Sequence, residues 1–573
     1  MAGAATDRQR AFWPRGLSYI LDVAAASHRN AMAFLLLVSL LAFLPGISKI
    51  PPIDREESRF AQATRQMVET GDYVDIRFQD EFRYTKPIGL YWMQAVIART
   101  AAAIGGEQAL AKVWLYRVPS IIGGIGAVLA TYWAALAFVS RRGAILAGLM
   151  LAASILMGVF ARLATTDAML LFSTTTAMGA MARAYRGHWQ TNADPPGYRL
   201  GAIFWTMLAI GFLLKGPVIL LFAGSATLTL LIVDRRAGWL KELRPLIGIV
   251  WFVVLVAPWL IAILMRSGRY FVLDSLVDDF LGRVLNISEY RFLPPGFYLV
   301  SFFLTFWPAS LLAGLAAPAI WRSRDAPPTR FLLAWLVPAW LLLELILTKL
   351  PHFALPLYPV IAILIAGCIE THQLSDRRWL VRGTFWWFFV PVFLSVLGVV
   401  ALIRFEGNLG FTAWPFAAAA IVFAFRAWWL YEADGAERAL LRAVASSLFL
   451  SAAIYAVILP TLQSLFPAAL AQRTLRSADC PSPLLASAGF HEPSLVFLSG
   501  TETQLTDGTG AAEFLRRGGC RFALVESRLE RSFAQRADAL GLRYAREARF
   551  EAVNLARGRL MTISIYRSKE PAN

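Results

Sequence analysis

Ser48-Lys49-Ile50-Pro51-Pro52-Ile53-Asp54-Arg55-Glu56-Glu57-Ser58-Arg59-Phe60, followed by Arg83-Tyr84-Thr85-Lys86-Pro87-Ile88-Gly89-Leu90-Tyr91-Trp92, is the stretch around which the chain is organised. Three acids fall within four positions just after the first apolar segment, and a basic and aromatic cluster follows them. Solvated loops often carry mixed charge, so the density alone says little. The setting says more: the stretch lies between two apolar segments, and Lys86 leads into an apolar helix. A carboxylate and a cation at the rim of a bilayer suit chemistry on a lipid phosphate.

The rest of the chain supplies that bilayer. Of its 573 residues 57% are hydrophobic and 16% charged, with mean hydropathy +0.55, which points to an integral membrane protein. The net charge of +17 is explained by Arg and Lys in cytoplasmic loops rather than by nucleic acid. Candidate spans are 31–47, 118–139, 143–161, 168–185, 199–214, 216–233, 245–264, 296–319, 330–347, 352–369, 383–403, 411–430 and 443–465, about thirteen transmembrane helices. Arginines cluster in alternate connections (Arg141/Arg142, Arg235/Arg236, Arg377/Arg378/Arg382), while the short connections between them hold single cations. That asymmetry places the N-terminus in the cytoplasm and, with odd parity, the C-terminus outside.

Residues 87–104 carry Gln94 and Arg99, costly inside a bilayer, and read as an amphipathic helix at the outer interface. The long outer loops are then 48–117 and 266–295, with a helix over Tyr270 to Leu285 in the second. From about residue 466 the composition changes to a small α/β domain, 466–573, set against a membrane domain, 1–465. Short β-like runs (Ser494 to Leu498, Phe522 to Val525, Leu560 to Tyr566) alternate there with helical stretches (Gly510 to Arg517, Leu529 to Leu540). Cys480 and Cys520 form a disulfide if this tail is periplasmic and are small core residues otherwise. No metal-type spacing and no nucleotide-binding motif occurs.

Charge is scarce in the spans, so ionisable residues at their outer ends stand out: Asp54, Glu56, Glu57, Arg59, Lys86, Arg162, Asp167, Lys215, Arg266, Arg269, Glu344, Lys349 and His352. Cations there bind a phosphate and stabilise the charge that grows on it as it leaves. A carboxylate deprotonates an attacking hydroxyl or stabilises an oxocarbenium-like centre. Neither role requires a metal or a cofactor. Each residue also has a bland alternative: helix capping for the acids, snorkelling for Lys86 and Lys215, surface anchoring for Arg269, and an interfacial place for His352. Arg162 reads as a partner of Asp167, and Glu344 as a partner of Lys349.

Ile53-Asp54-Arg55-Glu56-Glu57-Ser58-Arg59-Phe60-Ala61, Gly71-Asp72-Tyr73-Val74 and Lys86-Pro87-Ile88-Gly89-Leu90-Tyr91-Trp92 resemble the first outer loop of the C-type (GT-C) membrane glycosyltransferases. Within them the likeness is to the aminoarabinose transferase and protein O-mannosyltransferase-like group. It continues through Arg162 to Asp167, Lys215-Gly216-Pro217 and Lys349 to Pro356. The resemblance implies the GT-C fold, a polyprenyl (undecaprenyl) phosphate-linked sugar as donor, and lipid A or lipopolysaccharide as acceptor at the periplasmic face of the bacterial inner membrane. It implies 4-amino-4-deoxy-L-arabinose as the sugar, with a hexose, a uronic acid or mannose, and protein as acceptor, as the alternatives.

The resemblance makes the first-loop acid Glu56 or Glu57, with Asp54 as a substitute, and matches Asp167 to a second acid. Lys86 contacts the donor phosphate with Arg269 as partner, and Arg59, Tyr84, Arg162, Lys215, Lys349 and His352 complete the substrate-binding set. The rival class is a lipid or solute transporter, which would carry midplane charges and repeated halves; neither is evident in the sequence.

Overall fold

The computed structural model describes residues 14–187, 198–268, 271, 293–480 and 482–569. Arg269 and most of the helix expected over Tyr270 to Leu285 lie outside the described residues. Every expected span is met by a helix, although several are broken. His28–Phe43 and Val113–Ala135 are continuous, whereas Arg141–Ala152 stops at Ser154 before Ile155–Phe160. Phe297–Thr305 and Ser310–Arg322 are separated by the cis Trp307-Pro308 bond. Among the described residues eight helices are long and apolar enough to cross a membrane. Their outer surfaces are apolar and uncovered, as in Leu246 (83% exposed) and Met265 (82%) of helix Pro245–Ser267. A water-facing protein cannot leave whole helices in that state, and a lipid-facing one does.

Gly89–Gly105 is a helix, as its sequence predicts, with the Trp92 indole donating to the Tyr73 carbonyl at 2.8 Å. Polar Gln94 is buried by trading hydrogen bonds with Thr64 and the Tyr116 carbonyl, which removes the cost of an unpaired amide. The first loop folds around helix Glu56–Thr70 and a two-strand ladder, β1 (Arg77–Phe78) and β2 (Glu81–Phe82). At the end of the bundle remote from this loop, Arg142 bridges Glu437 and Asp22. Its neighbour Arg141 donates to the carbonyls of Ala25 and Ala26 at 2.7 and 2.8 Å.

The tail forms a five-stranded sheet: β3 (Leu484–Ala488), β4 (Gln504–Thr506), β5 (Arg521–Glu526), β6 (Tyr544–Asn554) and β7 (Arg559–Ser568), in the order β4-β3-β5-β7-β6. The first three run parallel, and β7 and β6 are antiparallel additions. The run Ser494 to Leu498, expected as a strand, is helix Pro493–Ser499. Short apolar runs fit either state, and Pro493 at a first-turn position favours the helix. Cys480 and Cys520 are joined, their Cα atoms 6.0 Å apart.

The same short helix seats the tail on the first loop. Phe497 packs edge-on against Tyr116 with ring centroids 5.4 Å apart, and its carbonyl accepts from the Arg65 guanidinium at 2.8 Å. Gln79 donates to the carbonyls of Thr501 and Thr503 at 2.9 and 2.7 Å, and Gln62 reaches the Thr501 hydroxyl at 2.8 Å.

Candidate functional site

The three first-loop acids go to three different places. Glu57 is 2% exposed. Its Oε1 and Oε2 take a two-pronged bond from Arg117 at 2.8 and 2.9 Å, and the backbone N–H groups of Ile53 and Ala164 each add a bond at 2.9 Å. Arg117 completes its donor set on the carbonyls of Ile47, Ile50 and Pro51. A carboxylate with four donors and no water face has little capacity left to take a proton from substrate. The catalytic expectation for Glu57 is corrected accordingly: it clasps the entry of the loop to the segment that precedes Asp167.

Asp54 turns toward the tail, where its Oδ1 accepts from the Ser494 N–H at 3.2 Å. Burial, with the Glu492 carboxylate close by, raises its pKa to about 6. Glu56 is the carboxylate that stays half-exposed (48%), bridged at 3.2 Å by Arg83. Arg83 in turn lies 5.0 Å over the Phe60 ring. Arg59, on the same helix, is exposed.

Arg162 was expected to bind substrate and to pair with Asp167. It does neither through the contacts seen: its guanidinium donates to the carbonyls of Pro45 (3.0 Å), Gly158 (2.5 Å) and Ala42 and to the Ser451 hydroxyl (2.8 Å), 3.9 Å from the Tyr455 ring centre. It locks the end of the first span to the last one. Tyr84, 2% exposed, donates its hydroxyl to Asp75 at 2.8 Å inside the loop; burial and that carboxylate push its pKa above the usual phenol value. Lys349 directs its ammonium to the carbonyls of Leu293 and Ile346 at 3.1 and 3.0 Å, so two of its three protons serve the backbone. Glu344 does not pair with it but accepts from the N–H groups of Gly296 and Tyr298, capping the helix that starts at Phe297.

What the fold does bring together is Asp167, Lys215 and His352. Asp167 opens helix Asp167–Arg186, Lys215 closes helix Tyr198–Lys215, and His352 starts the 3₁₀ segment Pro351–Leu357. The Lys215 ammonium is 2.5 Å from Asp167 Oδ1, and His352 Nε2 is 3.9 Å from the same oxygen. His352 leans on Phe160 and Phe353, and Lys215 lies 5.3 Å over Phe353.

The helix that follows Lys86 makes a close backbone approach to the segment that ends in Lys215. A Cβ on Gly89 would stand 2.7 Å from the Leu213 carbonyl oxygen, so only glycine lets the start of its helix press against the segment ending in Lys215. Lys86 is 7% exposed. Tyr84, Ile88, Tyr91, Met169, Leu214 and Trp259 share one apolar cluster, and a cation held among apolar groups pulls more strongly on an anion than one in water. No group of three metal-ligating side chains occurs among the described residues.

Sequence reading missed Arg117, because an arginine at the end of a long, charge-rich loop gives no sign of what it faces; the excess of acids in the same loop was the available signal.

A family model described as dolichyl-phosphate-mannose-protein mannosyltransferase matches residues 85–261, a segment holding Lys86, Asp167 and Lys215. An undecaprenyl phosphate-alpha-4-amino-4-deoxy-L-arabinose arabinosyl transferase of Aeromonas salmonicida is 27% identical over 375 residues, covering 63% of this chain and 64% of that protein. The transferase of the same name from Yersinia pestis is 27% identical over 347 residues, 59% of each. The match therefore spans a little under two thirds of the length of these curated relatives.

In fold, the chain is similar to ArnT from Cupriavidus metallidurans bound to undecaprenyl phosphate, with a TM-score of 0.69 at 18% identity over 94% of this chain and 98% of that one. The apo state of the same protein gives 0.71 at 17% identity. In sequence this chain is similar to undecaprenyl phosphate-aminoarabinose transferases, and in fold to ArnT.

Proposed function

We propose that the protein transfers a sugar, most simply 4-amino-4-deoxy-L-arabinose, from undecaprenyl phosphate to lipid A at the outer face of the bacterial inner membrane. The observation that carries the reading is the meeting of Asp167 with Lys215 and His352 where three helix ends converge. Leaving-group departure from a polyprenyl phosphate sugar puts extra charge on the phosphate, and Lys86 and Lys215 are the cations placed to stabilise it. Glu56, the first-loop acid with a solvent face, orients the acceptor or holds an amino sugar; for a hydroxyl acceptor it is the general base. The names of the relatives support this donor and sugar, and the Cys480–Cys520 bond supports an oxidising compartment for the tail.

The test is transfer in liposomes containing undecaprenyl-phosphate aminoarabinose and lipid A. Wild-type protein is expected to yield aminoarabinose-modified lipid A by mass spectrometry, and Lys86→Ala to lose most of that activity. Absence of product with wild type, or full activity in Lys86→Ala, would overturn the assignment.

A further inference from the structure

Helix Pro14–Ala25 precedes the first span and has 12 residues, whereas crossing a bilayer takes about 20. The chain turns at Ala26 and Ser27, where the Ser27 hydroxyl accepts from the Asn30 N–H and caps helix His28–Phe43. One side of the short helix is tied down at successive points. The Ser18 hydroxyl accepts from Arg438, Asp22 from Arg142, and the carbonyls of Ala25 and Ala26 from Arg141. Arg141 and Arg142 begin helix Arg141–Ala152, and Arg438 lies just past the Gly435 kink of helix Tyr431–Ser451. The short helix therefore lies across the end of the bundle remote from the first loop. Leu21 and Ala24 are buried beneath it.

Its opposite side is apolar and uncovered. Tyr19 is 67% exposed, Ile20 48% and Val23 45%. At about 100° per residue these three share one face, and Ser18, Leu21, Ala24 and Ala25 share the other. A helix with its back to water carries polar residues there; this one carries a tyrosine, an isoleucine and a valine.

The apolar face does not stop at the turn. The Asn30 side-chain amide donates to the Val23 carbonyl at 3.0 Å. Asn30 shares a side of its own helix with Leu37 and Leu41, two and three turns on, and both leucines are exposed in the first span. The face of the short helix is thus continuous with surface that lipid already covers. A helix laid flat at the rim of that surface, apolar side outward, has the form of an interfacial helix. Tyr19 suits that depth, with an apolar ring and a hydroxyl that reaches the headgroups. Arg29, exposed at the following turn, stands where lipid phosphates lie.

We propose that helix Pro14–Ala25 is a membrane-surface anchor, its Tyr19, Ile20 and Val23 face embedded in the phospholipids of the leaflet at that end, the inner one by the arginine asymmetry. Lipid holds its outer face and three arginines hold its inner one, which fixes the starts of two bundle helices at headgroup level. The anchor does not depend on the transfer reading.

The test uses full-length protein in phospholipid nanodiscs, with spin labels placed singly through Tyr19→Cys, Ile20→Cys and Val23→Cys. Gln373→Cys, at an exposed position on a neighbouring connection, is the water-facing reference. Cys368 is buried and Cys480 is joined to Cys520, so the native cysteines take no label. Collisions with oxygen, which concentrates in lipid, are compared with collisions with a water-soluble nickel chelate. The oxygen-to-nickel ratio at the three helix positions is expected to exceed the reference about fivefold or more, as for a depth of about 5–10 Å. Ratios equal to the reference put the face in water and overturn the anchor. Shielding from both reagents means that protein covers the face, with spin–spin broadening if the cover is a second copy, and overturns it equally. Tyr19→Asp/Val23→Asp leaves the arginine contacts in place and should bring nickel collisions of the Ile20 label toward the reference, with the melting temperature in detergent unchanged. An Ile20 label that stays in lipid in that folded variant also overturns the anchor.

Discussion

Two buried ion pairs meet in the same few residues: Ala164 gives its N–H to Glu57, and Asp167 follows three positions later. Glu57 and Arg117 close on each other through two bonds and fill every remaining position with backbone groups. Asp167 and Lys215 share one short contact, with a histidine at 3.9 Å. An acid facing a cation near a membrane rim describes both pairs equally well. What separates them is how many donors and acceptors are left once the fold is complete. The first pair is saturated by the protein's own groups, whereas the second is joined by a single short contact.

The widest separation between them should come from neutralising each pair as a unit. Asp167→Asn/Lys215→Gln removes both charges together, so no lone buried charge remains to unfold the protein. The double variant should keep wild-type expression and melting behaviour in detergent, yet lose transfer by about 10³-fold, the upper end of what a positioned electrostatic partner supplies. Near-wild-type turnover in that variant would reduce this pair to a fastener as well.

Arg117→Met should act in the opposite sense. It strands a buried carboxylate and three loop carbonyls, and the expected loss is about 3–5 kcal/mol of stability, read as a fall in melting temperature and in folded yield. Whatever fraction remains folded should show an almost unchanged acceptor KM. Arg162→Met should behave likewise, because its contacts are carbonyls, a hydroxyl and the Tyr455 ring. A stable, folded Arg117→Met protein with no activity would place the clasp inside the reaction after all.

These contrasts show what could and could not be read from the chain. Helix positions were legible because span length and apolar composition answer to the bilayer alone. The tail's fold class was legible too, although β3, β4 and β6 were missed and Ser494 to Leu498 was read as a strand. Short runs such as Gln504–Thr506 carry too few residues for a period to show. Among the site residues, Asp167, Lys215 and His352 stand near one another, and Glu56 keeps a solvent face. Glu57, Arg162, Tyr84 and Lys349 were chosen for the same chemistry and turn out to bond mainly to the protein itself. Sequence reports residue type and approximate depth, whereas partner count depends on elements that meet from distant parts of the chain: Ile47 with Arg117, or Ala42 and Ser451 with Arg162.

Glu56→Gln sharpens the comparison at the exposed end of the series. Its half-exposed carboxylate contributes little to folding, since exposed ion pairs are worth at most about 1 kcal/mol. Stability should therefore stay within that margin, while transfer to a hydroxyl acceptor falls about 10²-fold, the smaller end of general-base effects. Transfer to a phosphate acceptor, already anionic, should fall less. Equal activity on both acceptors would remove Glu56 from the chemistry.

The smallest effect belongs to the third first-loop acid, and its sign follows from the direction of the shift. Burial holds the folded Asp54 carboxyl at about 6, against 3.8 for the free group. Between these values the docked state binds the proton more tightly than the undocked one, so docking of the tail weakens as pH rises from about 4 to 6 and changes little above that. At pH 5 the bound proton favours docking by about 1.4 kcal/mol relative to neutral pH, the Ser494 N–H bond having already lowered the value from what burial alone would set. Hydrogen exchange across helix Pro493–Ser499 should accordingly show more protection at pH 5 than at pH 7.5, after correction for the intrinsic rate. Asp54→Asn, neutral at both values and able to keep the acceptor oxygen for Ser494, should flatten the difference. A wild-type profile that is flat already, or that tightens toward high pH, would mean the acid is solvated and the tail rests on Phe497, Arg65 and Gln79 alone.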